Sequence, residues 1–296
     1  MRPTILQLEY LVAVARTKNF RRAAESLYIS QPSLSSQIQK LETQLGVKLL
    51  ERDRRRVLVT PLGENIVSRA KEILASCDEL VGLAKGDAGG LAGELRLGMI
   101  PTIAPYVLPK VLPYIRAAYP KLRLMVREDQ TERLLQQLRD GRLDLLLLAK
   151  EAELGQVATL SLFQDPFFCV MPKGHPLAAH EAVELSQLSD AELLLLEDGH
   201  CLRNQALDVC RSVGAKEIGD FRATSLPTLV QMVAGGIGVT LLPETAIERE
   251  VGKDPSIEVR PFAAPPPYRT VCFAWRPGTV REAEYEKLAE LIESRI

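Results

Sequence analysis

Residues 193–210, LLLLEDGHCLRNQALDVC, constrain the fold more than any other stretch. The apolar run 193–196 reads as a buried strand. It breaks at Glu197-Asp198-Gly199, and His200-Cys201 then open a helix-like run that ends at Cys210. Strand feeding helix is a building unit of an α/β fold. The two thiols nine positions apart add a second constraint. At ~1.5 Å rise per residue they lie roughly 13 Å apart along a helix axis, whereas a disulfide needs Cα atoms within about 7 Å. If the segment is helical with both thiols reduced, joining them requires unwinding it.

The 296 residues suffice for two or three domains. A hydrophobic content of 46% and a charged content of 25% are those of an ordinary globular protein. The opening MRPTILQLEYLVAVARTKNF has no secretory pattern, because Gln7 and Glu9 interrupt its apolar stretch and Arg16 and Lys18 follow it. No run approaches the ~18 apolar residues of a membrane span. A cytoplasmic protein without membrane contact is expected, in which the five cysteines are reduced and any disulfide is transient.

The net charge of −1 is unevenly spread. Residues 1–66 hold eleven Lys and Arg against six acidic residues, a balance of +5 that leaves −6 for the remainder. A basic head on an acidic body points to a polyanion partner for the head.

Within that head, Ile5, Leu8, Leu11/Val12 and Ala15 recur at helical spacing over 5–17. Asn19 can cap a second helix over 20–27, FRRAAESL, with Ala23, Ala24 and Leu27 inward. After a short turn at Tyr28-Ile29, Ser30 caps a third helix with Pro32 in its first turn. Leu34, Ile38, Leu41 and Leu45 share one face of that helix, which ends at Gly46. Helix, tight turn, helix is the helix-turn-helix unit. Opposite the leucines stand Gln31, Pro32, Ser33, Ser35, Ser36 and Gln39, with Lys40 at the edge. Small and amide side chains let a helix enter a major groove, where Gln reads adenine and Ser reaches bases or phosphates. KLLERDRRRVLVT then reads as two short strands around a basic turn, a wing whose Arg52, Arg54 and Arg55 are placed for phosphates or the minor groove. Together these pieces make a DNA-binding module. Residues 61–86 continue as one long helix, a coiled-coil dimer arm with Cys77 on its apolar stripe, and residues 85–90 form a hinge-like linker.

From Gly93 onward strands and helices alternate. Strands are expected at 95–100, 122–128 and 143–148, with helices at 105–118 and 131–141, a doubly wound pattern. Strands near 166–171, 193–196 and 238–242, with helices near 203–213 and 225–235, form a second unit of the same kind. A strand at 269–275 and a terminal helix at 280–295 return to complete the first. Two lobes with crossovers imply a cleft, a usual ligand site.

Ligands of open α/β sheets bind beyond the carboxyl ends of the strands, where Thr102, Thr131 and His200-Cys201 fall. Thr102 and Thr131 have a plainer reading as helix caps, as does Thr224-Ser225. Cys201 at a helix N-terminus, flanked by His200 and Arg203, is placed to favour its thiolate, with Glu197 and Asp198 opposing. Cys169 and Cys272 lie in apolar strands and read as inert core residues. His175 and His180 lack a matching cluster, so no metal or cofactor is expected.

The head resembles the LysR-type transcriptional regulators. The matching residues are 8–15, Phe20-Arg-Arg-Ala-Ala24, Ser30-Gln-Pro-Ser33, Leu41-Glu42, Leu45-Gly46, 49–52 and Thr60-Pro61-Leu62-Gly63, and the resemblance continues through the linker and both lobes. Within that family the body resembles the OxyR subfamily of hydrogen peroxide sensors. This rests on Ile100-Pro-Thr102, Gln130-Thr131, Leu196-Glu-Asp-Gly-His-Cys-Leu-Arg203, the Cys201–Cys210 spacing, Phe221-Arg-Ala-Thr-Ser-Leu226 and residues 238–243.

The resemblance implies a winged helix-turn-helix domain over 1–60, a linker helix and hinge over 61–92, and a regulatory domain over 93–296. That domain is two-lobed, doubly wound α/β and like the periplasmic binding proteins, with lobe I at about 93–163 and 269–296 and lobe II at about 164–268. It implies that Cys201 is oxidised by peroxide and resolved by Cys210, with Thr102, Thr131 and His200 positioning the peroxide. It implies a non-enzymatic regulator of antioxidant genes acting on promoter DNA as a homotetramer. RNA polymerase would be contacted on activation, and thioredoxin- or glutaredoxin-type reductants would reset the switch. Two other readings stand beside this one: a LysR-type regulator that binds a metabolite in the inter-lobe cleft with bystander cysteines, and a thiol peroxidase with an accessory DNA head.

Overall fold

The computed structural model describes residues 2–52, 57–85, 91–211, 214 and 216–296. The chain divides into two compact units, residues 1–86 with 139–142, and residues 87–138 with 143–296.

In the first unit, α1 (Ile5–Thr17) starts on a reciprocal cap in which the Thr4 hydroxyl accepts from the Gln7 N–H and the Gln7 amide oxygen accepts from the Thr4 N–H. Helix α2 (Phe20–Ser26) is capped by Asn19, whose Oδ1 accepts from the Arg22 N–H. Helix α3 (Gln31–Leu45) is capped by Ser30 and ends on Gly46 at φ +70°. Leu11, Val14, Leu34, Ile38 and Leu41 are fully buried where the three helices meet, each contributing about 1.5–3 kcal/mol. The antiparallel wing strands β1 (Leu50–Arg52) and β2 (Val57–Val59) follow. Buried Glu42 ties the wing to α3 by accepting from the N–H groups of Leu49 and Leu50 and from Lys48 Nζ. Burial alone would raise the Glu42 pKa, but those backbone N–H groups and Lys48 more than offset it and hold it below the ordinary glutamate value. Helix α4 (Pro61–Lys85) leaves the wing through Gly63, where a Cβ would stand 2.3 Å from the Leu49 carbonyl oxygen.

The second unit contains two hydrophobic cores joined by one long strand. Around the first core lie β3 (Gly93–Met99), α5 (Ala104–Ala118), β4 (Leu122–Glu128), α6 (Thr131–Arg139) and β5 (Leu145–Ala149). Strand β6 (Ala158–Pro172) then runs 15 residues without a break, pairing with β11 (Tyr268–Trp275) over its first part and with β9 (Thr240–Pro243) and β10 (Ile257–Pro261) over its second. The sheet order is β10-β6-β11-β5-β3-β4, with β9 also on β6. Parallel strands β7 (Glu192–Leu196) and β8 (Lys216–Ala223) build the second core with α7 (Cys201–Arg211), α8 (Leu226–Ala234) and α9 (Glu244–Glu250). Helix α10 (Glu282–Glu293) returns to the first core, where the Tyr285 ring packs tilted against Trp275 with centroids 5.6 Å apart. Strands β8 and β10 and helix α9 are additional to the elements expected from sequence. The strand expected over 166–171 is the second part of β6. No helix among the described residues is long and apolar enough to cross a membrane.

Candidate functional site

Cys201 is the first residue of α7, directly after the turn from β7. Gly199 makes that turn at φ +95°, and a Cβ there would meet the Gln130 side chain at 2.8–3.0 Å, so the residue before Thr131 closes over the start of α7. Cys201 is half-buried against the first core, while Leu202 and Ala206 of the same helix are buried in the second. Helix α7 therefore joins the two lobes.

Burial pushes the Cys201 thiol up. The Arg269 guanidinium, the Thr131 hydroxyl and the N–H groups of Leu202 and Cys201 itself act the other way. Thr131 is buried, and its hydroxyl has no hydrogen-bond partner among the described residues. It does not cap α6. Thr102 is not a cap either. Its hydroxyl accepts from Arg269 Nη1 at 3.0 Å and its carbonyl from Arg269 Nη2 at 2.8 Å. The cap expected at 224–225 is present as Ser225, whose hydroxyl accepts from the Thr228 N–H at the start of α8. His200 is buried and its pKa is lowered by that burial, with Glu197 opposing, so the ring is neutral at pH 7.

Arg269 is the residue that sequence reasoning missed. It is fully buried on β11, with its Nε and Nη2 donating to Asp165 Oδ2 at 3.0 and 2.8 Å. Asp165 is its cross-strand partner on β6 and also accepts from the N–H and hydroxyl of Thr245. A charge at the head of an otherwise apolar strand, YRTVCFAW, is the signal that could have found it.

Arg203, by contrast, does not serve Cys201. Its side chain is 7% exposed and forks onto Glu217 of β8 at 2.6 and 3.0 Å, with further bonds to Asp198 and the Leu196 carbonyl. Of the two residues expected to favour the Cys201 thiolate, His200 has its pKa lowered by burial and Arg203 is engaged by Glu217 and Asp198. Arg203 pins α7 to β8, and Gln205 adds a bond to Glu151 at 3.4 Å. The side chain of Cys210 lies outside the described residues; its backbone belongs to the last turn of α7. Cys169 and Cys272 are fully buried, and burial holds the Cys272 thiol at about 12. Among the described residues no cluster could hold a metal ion.

Thr102 and His200 also line a cleft of about 270 Å³, with Tyr106, Glu128, Ser225 and Arg249 among its walls. Two bonds join residues of its lining: the Tyr106 hydroxyl donates to Glu250 at 2.9 Å, and Arg249 donates to the Pro105 carbonyl at 2.9 Å. Thr102, through Arg269, and His200, the residue before Cys201, link this cleft to the thiol.

On α3, Gln31, Pro32, Ser33, Ser36, Gln39 and Lys40 are exposed and Ser35 is half-buried. Arg54 and Arg55 lie outside the described residues, as does the side chain of Arg52.

Residues 5–64 match the family described as bacterial regulatory helix-turn-helix protein, lysR family, and residues 88–296 match the LysR substrate binding domain. The chain is 44% identical over 292 residues to the DNA-binding transcriptional dual regulator OxyR of Escherichia coli, covering 99% of this chain and 95% of that protein. It is 47% identical over 288 residues to a probable hydrogen peroxide-inducible genes activator of Streptomyces viridosporus, covering 97% and 92%. Among solved structures, a full-length Cys-to-Asp variant of Pseudomonas aeruginosa OxyR superposes with a TM-score of 0.79 at 38% identity, covering 100% of this chain and 99% of that one. A hydrogen peroxide-bound Cys-to-Ser variant of Corynebacterium glutamicum OxyR gives 0.68 at 40% identity, covering 100% and 94%.

Proposed function

The chain belongs to the LysR family of bacterial regulators, in its OxyR group, and from that premise we propose that it is a cytoplasmic, hydrogen peroxide-responsive transcriptional regulator switched by Cys201 and Cys210. The observation that carries the reading is the place of Cys201, half-buried at the first position of α7, with Thr102 held by Arg269, whose charge and the Thr131 hydroxyl both oppose the rise that burial gives the thiol. Thr102, Thr131 and neutral His200 orient the peroxide. The Cys201 sulfur attacks one oxygen, the O–O bond breaks, and the departing oxygen leaves as water with the thiol's proton. Cys201 is left as a sulfenic acid. The Cys210 sulfur then attacks it, the S–O bond breaks, a second water leaves and a disulfide forms.

That second step cannot occur on an intact α7. Both cysteines belong to one helix, so their Cα atoms stand roughly 13 Å apart along its axis, against the ~7 Å limit of a disulfide. The helix must give up the bonds from Arg203 to Glu217 and from Gln205 to Glu151, and since α7 packs on both cores its departure changes both lobes. A regulatory domain so altered repositions the DNA-binding heads.

On the DNA side we assign Gln31, Pro32, Ser33, Ser35, Ser36, Gln39 and Lys40 to the recognition surface and Arg52, Arg54 and Arg55 to the wing. We assign residues 1–60 to the DNA-binding domain, 61–92 to the linker and 93–296 to the sensor. The working assembly is a homotetramer on promoter DNA that contacts RNA polymerase and is reset by thioredoxin- or glutaredoxin-type reductants.

The test is mass spectrometry of peptides spanning Cys201 and Cys210 after a brief peroxide pulse, with Cys210→Ser in parallel. A rapid disulfide in the parent and a trapped sulfenic acid at Cys201 in the variant are expected. Unmodified thiols would overturn the redox reading and turn attention to a small molecule in the inter-lobe cleft.

A further inference from the structure

Tyr28 stands out on the head because nothing among the described residues makes use of it. It is 97% exposed. Among the described residues its hydroxyl has no hydrogen-bond partner and its ring no aromatic or cationic neighbour. Its backbone is left-handed, at φ +55°. That conformation belongs to the end of α2, where the Tyr28 N–H reaches the Glu25 carbonyl and the Ile29 N–H reaches back to the Ala24 carbonyl. This is the position at a helix end that favours glycine, because a Cβ in the left-handed region crowds the following carbonyl. The fold therefore carries strain at Tyr28 and gains no packing from the ring.

Its place in the helix-turn-helix supplies the use. Tyr28 lies two residues ahead of Ser30, the cap of α3, and stands just before the exposed run of Gln31, Pro32 and Ser33. In this motif the N-terminal turn of the second helix enters the major groove, so residues just ahead of that turn lie over the phosphates bordering it. Tyrosine hydroxyls are among the groups that bind such phosphates. We propose that Tyr28 is a backbone anchor for duplex DNA, its phenol donating a hydrogen bond to a phosphate oxygen beside the groove that takes α3. The inference rests on the DNA-binding reading above. It adds a contact that fixes the height and angle of α3 and carries no base preference.

The full-length reduced protein is titrated against two labelled duplexes of scrambled sequence, one A·T-rich and one G·C-rich, at low salt and over a salt series. The variants are Tyr28→Phe and Tyr28→Gly. Each variant weakens binding to both duplexes by the same factor, about tenfold or more, tenfold being the lower end for a hydrogen bond to a charged group. The slope of affinity against salt stays that of the parent, because a neutral phenol displaces no counterion. The Tyr28→Gly protein melts no lower than the parent, since glycine accepts the left-handed backbone. Binding within about twofold of the parent, a loss confined to one duplex, or a changed salt slope would each overturn the assignment. If Tyr28→Gly does not fold, the claim that the fold has no need of Tyr28 is overturned, and Tyr28→Phe still decides the phosphate contact. A parent that binds neither duplex overturns the DNA-binding reading itself; a parent that binds beside unaffected variants overturns the anchor alone.

Discussion

Replacing Glu217 with glutamine tests whether α7 must come free before the two thiols can join. The Arg203–Glu217 pair is only partly screened, with side chains 7% and 23% exposed, and it is bidentate. The second acidic partner of Arg203, Asp198, is 75% exposed and adds little. Glutamine keeps the volume and one acceptor but leaves the buried guanidinium facing a neutral amide. Losing a charge-assisted bond costs about 1.5–3 kcal/mol, and residual solvent access places this one at the lower end, ~1.5–2 kcal/mol. Helix opening then becomes about ten- to thirtyfold more frequent, at tenfold per ~1.4 kcal/mol. If the sulfenic acid waits for the helix to open, disulfide formation accelerates by that factor. The same destabilisation of the reduced form makes the couple harder to reduce by about 30–45 mV, at ~30 mV per 1.4 kcal/mol. The assay is quenched-flow peroxide oxidation at saturating peroxide, with alkylation and mass spectrometry reporting the 201–210 disulfide. Sulfenic acid formation in the Cys210→Ser background must stay at the parent rate, since Glu217 is not among the main groups acting on the Cys201 sulfur. An unchanged or slower disulfide step in a measurably destabilised variant would refute helix opening as the limiting event.

Two further outcomes follow from the same interactions. In Thr131→Val the hydroxyl that favours the Cys201 thiolate is gone, so the thiol pKa moves further up and the thiolate fraction at neutral pH falls. The pH profile of Cys201 alkylation then shifts to higher pH, and a profile that stays in place or moves down would contradict the geometry. In Glu42→Gln the wing loses the carboxylate that accepts from Leu49 and Leu50, a loss of about 2 kcal/mol. The Glu42 pKa is depressed in the folded state, so the stabilisation it supplies is present above the unfolded-state value near ~4.3 and fades as pH falls through the folded value. Faster hydrogen exchange at Leu49 and Leu50 is expected at pH 7, converging with the parent in acid.

The head is legible in the sequence because its signals are local. The caps at Asn19 and Ser30, the leucines at 3.6-residue spacing and Gly46 each act within a turn or two of chain, so both partners of every such interaction stand side by side in the sequence. The sensor is legible only as alternation. From sequence a strand is expected only near 166–171, yet β6 starts at Ala158 and runs straight through Asp165. What permits this is Arg269, its partner across the sheet and 104 residues away in sequence, which neutralises the carboxylate inside the core. The same arginine is the cation that acts on Cys201. Arg203, close in sequence, draws attention for the wrong reason: residues two apart on a helix do not face each other, so the first and third residues of α7 point to different surroundings. One missed pairing therefore explains both errors. The residue that makes β6 continuous is also the residue that supplies the charge at the thiol, and a substitution at Asp165 must disturb the sheet and the chemistry together.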